Sequence, residues 1–189
     1  MDSFLKMSEK KDPDSRIIFI TGGARSGKSN YAQQMATEMG CDVLFIATAE
    51  PLDDEMRDRI RNHRLSRPEH WKTMELPCNL AQELKNIPVI PQTVIIDCIT
   101  LLVSNLIQQD KPANELEKIA ASEISGLINY IESTSSVFII VTNEVGLGLV
   151  PDNKIARDYR DILGKVNQLI ARSADEVYYM ISGIPQRIK

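Results

Sequence analysis

A glycine-rich octapeptide constrains the fold of this chain more than any other feature. Residues 22–29 read GGARSGKS and match the phosphate-binding pattern G-x-x-x-x-G-K-[ST] at every fixed position. They follow directly on the apolar run 16–21 and lead into the helical stretch 29–39. A short apolar run predicts a strand buried on both faces, and glycines let the backbone wrap a phosphate at a helix N-terminus. We therefore expect a strand, a phosphate loop (P-loop) and a helix in that order.

Further apolar runs alternate with helical stretches along the rest of the chain. The runs cover residues 43–47, 94–97, 137–142 and 176–181, and the helical stretches cover residues 53–65, 113–131 and 153–173. This alternation predicts an α/β fold with a largely parallel sheet flanked by helices. Because 189 residues suit one domain, we expect residues 16–189 to form it and residues 1–15 to be a flexible N-terminal tail.

The charge balance and the cysteine usage exclude several classes of function. Lys and Arg number 22 against 26 Asp and Glu, which gives a net charge of −4, so we expect no binding to nucleic acid. The three cysteines are odd in number and lack C-x-x-C spacing, which argues against a disulfide framework. No apolar run approaches the roughly 20 residues of a membrane span, and residues 1–15 lack the apolar region of a secretory signal. We therefore expect a cytoplasmic protein with no membrane span.

The P-loop assigns chemical roles to its last two residues and requires an acidic partner. Lys28 would offset the charge of the β- and γ-phosphates during catalysis, and the Ser29 hydroxyl would hold Mg²⁺. Asp97 ends the apolar run 94–97, where the acid that completes such a magnesium site is expected. An aspartate that ends a strand is also a common turn former, so the spacing leaves both interpretations of Asp97 open.

A histidine on the second helical stretch indicates a second chemistry. Met56, Ile60 and His63 follow i, i+4, i+7 spacing, which predicts that His63 shares the inward face of its helix with two apolar side chains. Such a histidine is either a core residue or a nucleophile that attacks phosphorus. Four arginines lie nearby in the sequence: Arg59, Arg61, Arg64 and Arg67. Such a cluster suits an anionic substrate, although we expect two of the four to lie on a solvated helix face.

The segment after the run 137–142 is expected on the substrate side of the sheet. Asn143, Glu144 and residues 145–150 follow a core strand, and ligands of parallel sheets gather at the carboxyl ends of the strands. We expect this segment to contact substrate, with a loop held in place for packing as the alternative.

Five separate blocks of the sequence, in order, carry a resemblance that runs from about Ile17 to the C-terminus. They are residues 21–29, residues 46–48 with 53–56, 59–60, 63–64, 67–68 and 71, residues 97–100 with 105–106, residues 141–146 with 150–151, 157, 160–161, 164 and 166–168, and residues 174–177 with 182–183. In these blocks the chain resembles the bifunctional adenosylcobinamide kinase / adenosylcobinamide-phosphate guanylyltransferase family of cobalamin biosynthesis.

The resemblance implies a fold, an assembly and two reactions. The fold is that of a P-loop NTPase related to RecA-like ATPases, and the assembly is a homotrimer. The enzyme phosphorylates adenosylcobinamide with ATP or GTP. It then transfers GMP from GTP to adenosylcobinamide phosphate through a GMP–histidine intermediate, giving adenosylcobinamide-GDP.

The resemblance also implies functional residues. The histidine that carries GMP corresponds to His63. The nucleotide contacts correspond to Gly22, Gly23, Ala24, Arg25, Ser26, Gly27, Lys28, Ser29, Ala47, Thr48, Ala49, Arg64, Leu65, Ser66, Arg67, Glu75 and Asp97. Two positions depart from the family pattern, because Asn62 stands where some members have a second histidine and Asp97 stands where many have glutamate.

Two other functions are compatible with a P-loop. One is a simple small-molecule kinase in which His63 is structural. The other is a nucleotide-dependent switch or a DNA-stimulated ATPase, against which the acidic composition and the absence of a basic stripe argue. Only the guanylyltransferase predicts a protein-bound GMP with the acid lability of a phosphorus–nitrogen bond.

Overall fold

The computed structural model describes residues 11–40, 42–65, 67–109 and 111–189. Its strands are β1 (Arg16–Gly22), β2 (Val43–Ala47), β3 (Lys72–Glu75), β4 (Thr93–Asp97), β5 (Val137–Val141), β6 (Glu176–Ile181) and β7 (Ile184–Arg187). They form one sheet in the order β3-β2-β4-β5-β1-β6-β7. Neighbouring strands run parallel except β6 and β7, which pair antiparallel.

Helices cover both faces of this sheet. They are α1 (Lys28–Glu38), α2 (Asp54–Leu65), α3 (Leu80–Lys85), α4 (Ile99–Ile107), α5 (Ala113–Glu132) and α6 (Lys154–Ser173). β5 lies between β1, which leads into the P-loop, and β4, which ends in Asp97. The predicted α/β fold, with a P-loop on a largely parallel sheet flanked by helices, is confirmed. Within the described ranges no helix is long and apolar enough to cross a membrane.

The core explains why the strands read as unbroken apolar runs. Alternate side chains of a strand point to opposite faces of the sheet. Ile17 and Phe19 of β1 pack in the cluster formed with α3 to α6, whereas Ile18 and Ile20 pack in the cluster formed with α1. All four side chains are almost fully buried, so both faces of β1 must be apolar.

Four elements have no counterpart in the predicted pattern. β3 is half-exposed and polar, and β7 is exposed along its whole length, so neither carries a hydrophobic pattern. α3 has only six residues, which is too short for helical periodicity. α4 begins two residues after β4 ends, so its apolar side chains follow almost directly on those of the strand.

The N-terminal residues that the structure describes lie against the ends of α5 and α6. Lys11 forms an ion pair of 2.7 Å with Asp175, and Asp12 N–H donates to the carbonyl of Glu132 at 2.8 Å. The Ser15 hydroxyl donates to the carbonyl of Ile131 at 2.9 Å. The division into a tail (1–15) and a domain (16–189) stays a prediction, and residues 1–10 lie outside the described ranges.

Candidate active site

The P-loop connects β1 to α1, and its path requires glycine at two positions, Gly22 and Gly27. Gly27 precedes α1 with a φ of 93°, in the left-handed region that favours glycine. A Cβ on Gly22 would lie 2.6 Å from the carbonyl oxygen of Met180 on β6, which is a clash. Gly183 N–H, in the turn between β6 and β7, donates to the carbonyl of Ser26 at 3.0 Å. The loop is therefore supported from the side by the β6–β7 hairpin.

Lys28 directs its ammonium group back across the P-loop. The Nζ atom donates to the carbonyl of Gly23 at 2.6 Å and to the Ser26 Oγ at 3.4 Å. Burial lowers the pKa of Lys28, while the nearby Cys98 and Asp97 oppose that change. A desolvated cation inside the loop is suited to offset phosphate charge, as the sequence predicts.

Asp97 lies two strands away from β1 rather than on a neighbouring strand. Both Asp97 of β4 and Ile20 of β1 pair in register with Val141 of β5. Neighbouring strands are about 4.8 Å apart, so Asp97 lies about 10 Å from β1 at the same level of the sheet. Its charge nevertheless acts on both Lys28 and Arg67.

The peptide after Asp97 is clamped by a buried threonine. The Thr48 hydroxyl donates to the carbonyl of Cys98 at 2.6 Å and accepts the Cys98 N–H at 2.9 Å. Asn105 of α4 donates to the carbonyls of Thr48 and Pro77 at 2.9 and 3.1 Å. The ends of β2, β3 and β4 are thereby joined, which fixes the backbone that carries Asp97.

The prediction that His63 lies on an inward apolar face is wrong. None of the described side chains of α2 is buried, so the face that carries Met56, Ile60 and His63 does not pack into the core. The His63 side chain is 48% exposed, and its Nδ1 atom lies 3.8 Å from the Asp97 Oδ2. The histidine is therefore accessible to a ligand and close to the carboxylate at the end of β4.

The arginines near His63 divide into two groups. Arg59 and Arg61 pair with Glu55 and Asp58 on the exposed face of α2, and Arg64 is exposed as well, so three of the four are solvated where the sequence predicted two. The Arg67 guanidinium lies 3.6 Å from the centre of the Phe45 ring, a cation–π contact that fixes its orientation. Arg64 lies 4.0 Å from Glu75 at the surface.

The Arg67 guanidinium is poorly solvated. Burial lowers the pKa of Arg67, and the carboxylate of Asp97 opposes that change. Its Nε atom is buried without a hydrogen bond among the described residues. A guanidinium with an unused Nε–H donor near Asp97 is suited to bind phosphate oxygens.

The remaining predicted nucleotide contacts differ in accessibility. Ala24 and Arg25 of the P-loop, Leu65 and Glu75 are exposed, and Gly23, Ser29 and Ala49 are half-buried. Ala47 and Thr48 are buried, and the hydroxyl of Thr48 is used within the protein. Ser66 lies outside the described residues. Most of the predicted nucleotide contacts lie at or just after the carboxyl ends of β1, β2, β3 and β4.

The segment after β5 reaches the P-loop, as expected from its position at the carboxyl edge. Glu144 N–H donates to the carbonyl of Gly22 at 2.9 Å. Asn143 N–H donates to the Thr100 Oγ1 at 2.7 Å, and Asn167 Nδ2 donates to the carbonyl of Asn143 at 3.2 Å. Side chains of α4 and α6 thus hold this segment beside the phosphate site.

The sequence pattern did not reveal two residues that shape the site, Phe45 and Asn105. Phe45 belongs to a buried strand, and nothing in that run marks it as the support of a guanidinium. Asn105 is a polar residue in the apolar stretch 99–107. A polar side chain in such a stretch is the one signal that could have indicated its bonds, because buried polar groups are usually hydrogen-bonded.

Asn105→Ala is expected to lower the free energy of unfolding by about 1–3 kcal/mol, because the carbonyls of Thr48 and Pro77 lose their donor. Urea denaturation measures the change. Gln108→Ala, at the exposed end of the same helix, is the matched control and should change stability by less than about 0.5 kcal/mol. Equal stability of the two variants would show that the clamp contributes nothing.

Cys98 is expected to resist alkylation in the folded protein. Burial and the adjacent charge of Asp97 raise the pKa of the Cys98 thiol to about 12, so only about one molecule in ten thousand carries the thiolate at pH 8. Mass spectrometry after iodoacetamide treatment at pH 8 should find Cys98 unmodified before denaturation and alkylated after it. Rapid alkylation of the folded protein would contradict this environment.

The chain is similar to a protein family and to several named proteins. Residues 18–188 match the family described as cobinamide kinase / cobinamide phosphate guanyltransferase. The "Bifunctional adenosylcobalamin biosynthesis protein CobU" of Escherichia coli is 42% identical over 182 residues, which cover 92% of this chain and 99% of that protein. The protein of the same name from Salmonella typhimurium is 40% identical, with coverage of 92% and 99%.

A more distant relative and a solved structure complete the comparison. The "Bifunctional adenosylcobalamin biosynthesis protein CobP" of Pseudomonas aeruginosa is 38% identical, with coverage of 90% and 95%. The crystal structure of the flagellar accessory protein FlaH from Methanocaldococcus jannaschii has a TM-score of 0.49 and 15% identity, over 93% of this chain and 78% of that chain. The match over residues 18–188 and the identities over nearly the whole length lead to one conclusion: the chain belongs to the cobinamide kinase / cobinamide phosphate guanyltransferase family.

Proposed function

We propose that this chain carries out both reactions of its family at one nucleotide site. It phosphorylates adenosylcobinamide with ATP or GTP and then transfers GMP from GTP to the product, which yields adenosylcobinamide-GDP and pyrophosphate. The observation that carries this proposal is the position of Asp97, whose charge acts on the P-loop lysine and whose carboxylate lies 3.8 Å from His63. The residues suited to the two reactions are therefore adjacent.

In the kinase step the chain binds and neutralises the phosphates. The N–H groups of residues 22–29 and the start of α1 surround the β-phosphate, and Lys28 offsets the charge that moves between the β- and γ-phosphates. The acceptor hydroxyl attacks the γ-phosphorus in line. The bond from that phosphorus to the β-phosphate oxygen breaks, the nucleoside diphosphate leaves with the electron pair of that bond, and the hydroxyl proton passes to water.

The residues present fit a magnesium ion. The Asp97 Oδ2 is buried and accepts no hydrogen bond within the described ranges, which suits a carboxylate that binds a cation. In the described part of the chain no group of three or more His, Cys, Asp and Glu side chains is placed to hold a metal ion, and nucleotide phosphates would supply further ligands. Ser29 and Asp97 would hold Mg²⁺, which neutralises phosphate charge when bound.

In the guanylyl step His63 is the nucleophile and the α-phosphorus of GTP is its target. Arg67, fixed on Phe45, offsets the charge that develops on the α-phosphate oxygens, and Arg64 extends the positive surface. Because α2 buries no described side chain, its displacement toward a bound nucleotide costs little apolar contact. We expect α2 to move toward the P-loop when GTP binds.

We also propose a cytoplasmic homotrimer with a single domain over residues 16–189. Unpaired Cys78 and Cys98 thiols suit a reducing compartment. Four large apolar side chains in the loop before α6 and in its first turn are exposed: Leu147, Leu149, Val150 and Ile155. Exposed apolar side chains are expected on a surface that a second copy covers. Sedimentation of the full chain should give about three times its mass of 21.3 kDa. A monomer would contradict the assembly.

The proposed chemistry is tested with GTP labelled in the α-phosphate. The label should remain on the protein in alkali and be lost in acid, as expected for a phosphorus–nitrogen bond, and it should pass to adenosylcobinamide phosphate when that acceptor is added. A simple kinase would phosphorylate adenosylcobinamide without ever retaining the α-label. Labelling with no transfer to the acceptor would contradict the second reaction.

A further inference from the structure

The Asp97 carboxylate has one oxygen without a hydrogen bond in the described residues. Its Oδ2 atom is buried and accepts none, although buried carboxylate oxygens normally find donors. The Nδ1 atom of His63 lies 3.8 Å away. That separation is longer than a hydrogen bond, but a small shift of the half-exposed ring closes it. Of the two ring nitrogens, Nδ1 is the one that faces the carboxylate at this distance.

The carboxylate is the fixed partner of this pair. The Thr48 hydroxyl is bonded to both the N–H and the carbonyl of Cys98, and Asn105 donates to the Thr48 carbonyl. His63, in contrast, belongs to a helix without buried side chains. The Asp97 carboxylate therefore sets the orientation of the His63 imidazole, because the histidine is the partner that can move.

We propose that Asp97 is the positioning residue of the guanylyl step, and that GMP is carried on the Nε2 atom of His63. This inference rests on the proposed function. An Nδ1–H donated to Asp97 holds the neutral imidazole in the tautomer that leaves the lone pair on Nε2, because only one of the two nitrogens carries the proton. The carboxylate also balances the positive charge that the ring acquires when Nε2 forms a bond.

The step balances without a further acid or base. The Nε2 lone pair forms the bond to the α-phosphorus, and the bond between that phosphorus and the bridging oxygen breaks. The electron pair leaves with pyrophosphate, and the Nδ1 proton stays between the ring and Asp97. When the phosphate of the acceptor attacks the same phosphorus, the nitrogen–phosphorus bond breaks and its electron pair returns to Nε2.

The attachment atom is measured on the unaltered protein. The protein is incubated with GTP, digested in alkali, and the GMP–histidine is analysed by ³¹P and ¹H nuclear magnetic resonance, which distinguishes Nδ1 from Nε2 adducts by their ring couplings. Attachment at Nε2 is expected. Attachment at Nδ1 would overturn the inference, whereas a protein that forms no adduct at all would instead overturn the proposed guanylyl transfer.

Variants separate a role on His63 from a role on Mg²⁺. Asp97→Asn should slow formation of the GMP adduct about 100-fold more than it slows phosphorylation of adenosylcobinamide, because an amide neither balances the charge nor selects the tautomer. Asp97→Glu should recover most of that difference. Ser29→Ala is the matched control, because it removes only the second metal ligand and should slow both reactions by similar factors.

The comparison of these variants decides the role of Asp97. If Asp97→Asn slows both reactions equally, as Ser29→Ala is expected to do, Asp97 acts through the metal alone and the inference fails. Circular dichroism establishes whether each variant is folded. If Asp97→Asn does not fold, the attachment atom in the unaltered protein decides, with Nδ1 as the contradicting result.

Discussion

His63→Ala should abolish the formation of protein-bound GMP and the synthesis of adenosylcobinamide-GDP, yet leave phosphorylation of adenosylcobinamide measurable. The guanylyl step needs a nucleophile that forms a covalent intermediate, whereas a hydroxyl can attack the γ-phosphorus directly. The half-exposed imidazole beside Asp97 is the residue placed for that role. The measurement is retention of α-label on the protein, with transfer of γ-label to adenosylcobinamide followed in parallel.

His70 provides the internal control for this experiment. It is exposed and lies five residues beyond the end of α2, so His70→Ala should still accumulate GMP on the protein. If His63→Ala retains the acid-labile adduct, another residue is the nucleophile. If His63→Ala loses both activities while remaining folded, the two reactions do not separate at this residue and the simple division of roles is wrong.

Lys28→Ala should reduce both phosphorylation and guanylyl transfer by about 10²- to 10³-fold, the usual cost of losing one charge contact in a transition state. The ammonium group lies inside the P-loop, where it donates to the carbonyl of Gly23. Each reaction moves negative charge onto phosphate oxygens bound by that loop. Steady-state rates for both reactions, measured on the same preparation, test the expectation.

An exposed lysine serves as the matched comparison. Lys85→Ala, at the last turn of α3, removes the same charge far from the P-loop in sequence and should leave both rates within about twofold. A Lys28→Ala variant with near-normal phosphorylation would contradict a loop shared by the two reactions. A loss confined to the kinase reaction would place the guanylyl step at a separate nucleotide site.

The sequence predicted those parts of the fold that depend on local patterns. The order of strand, P-loop and helix follows from one apolar run, three glycines and a lysine within fifteen residues, because these features act on the backbone nearby. The strands β2, β4 and β5 are recognisable because both of their faces are buried, and β6 because its apolar run is partly buried. The exposed β3 and β7 carry no such pattern.

The candidate site shows the limit of local patterns. Helical spacing placed His63 on an apolar inward face, but none of the described side chains of α2 is buried. The periodicity of a helix indicates which side chains share a face, and only the packing of the chain decides whether that face is buried.

By itself the sequence determined a P-loop on a parallel α/β sheet, an acid at the end of a later strand and the family to which the chain belongs. Only the tertiary structure decided that β5 separates Asp97 from β1, that Thr48 and Asn105 fix the peptide beside Asp97, and that the Nδ1 of His63 is the nitrogen close to the carboxylate. The physical reason is separation along the chain. His63 and Asp97 are brought together by the order of the strands, and strand order is set by packing across the whole sheet and by no local pattern of residues.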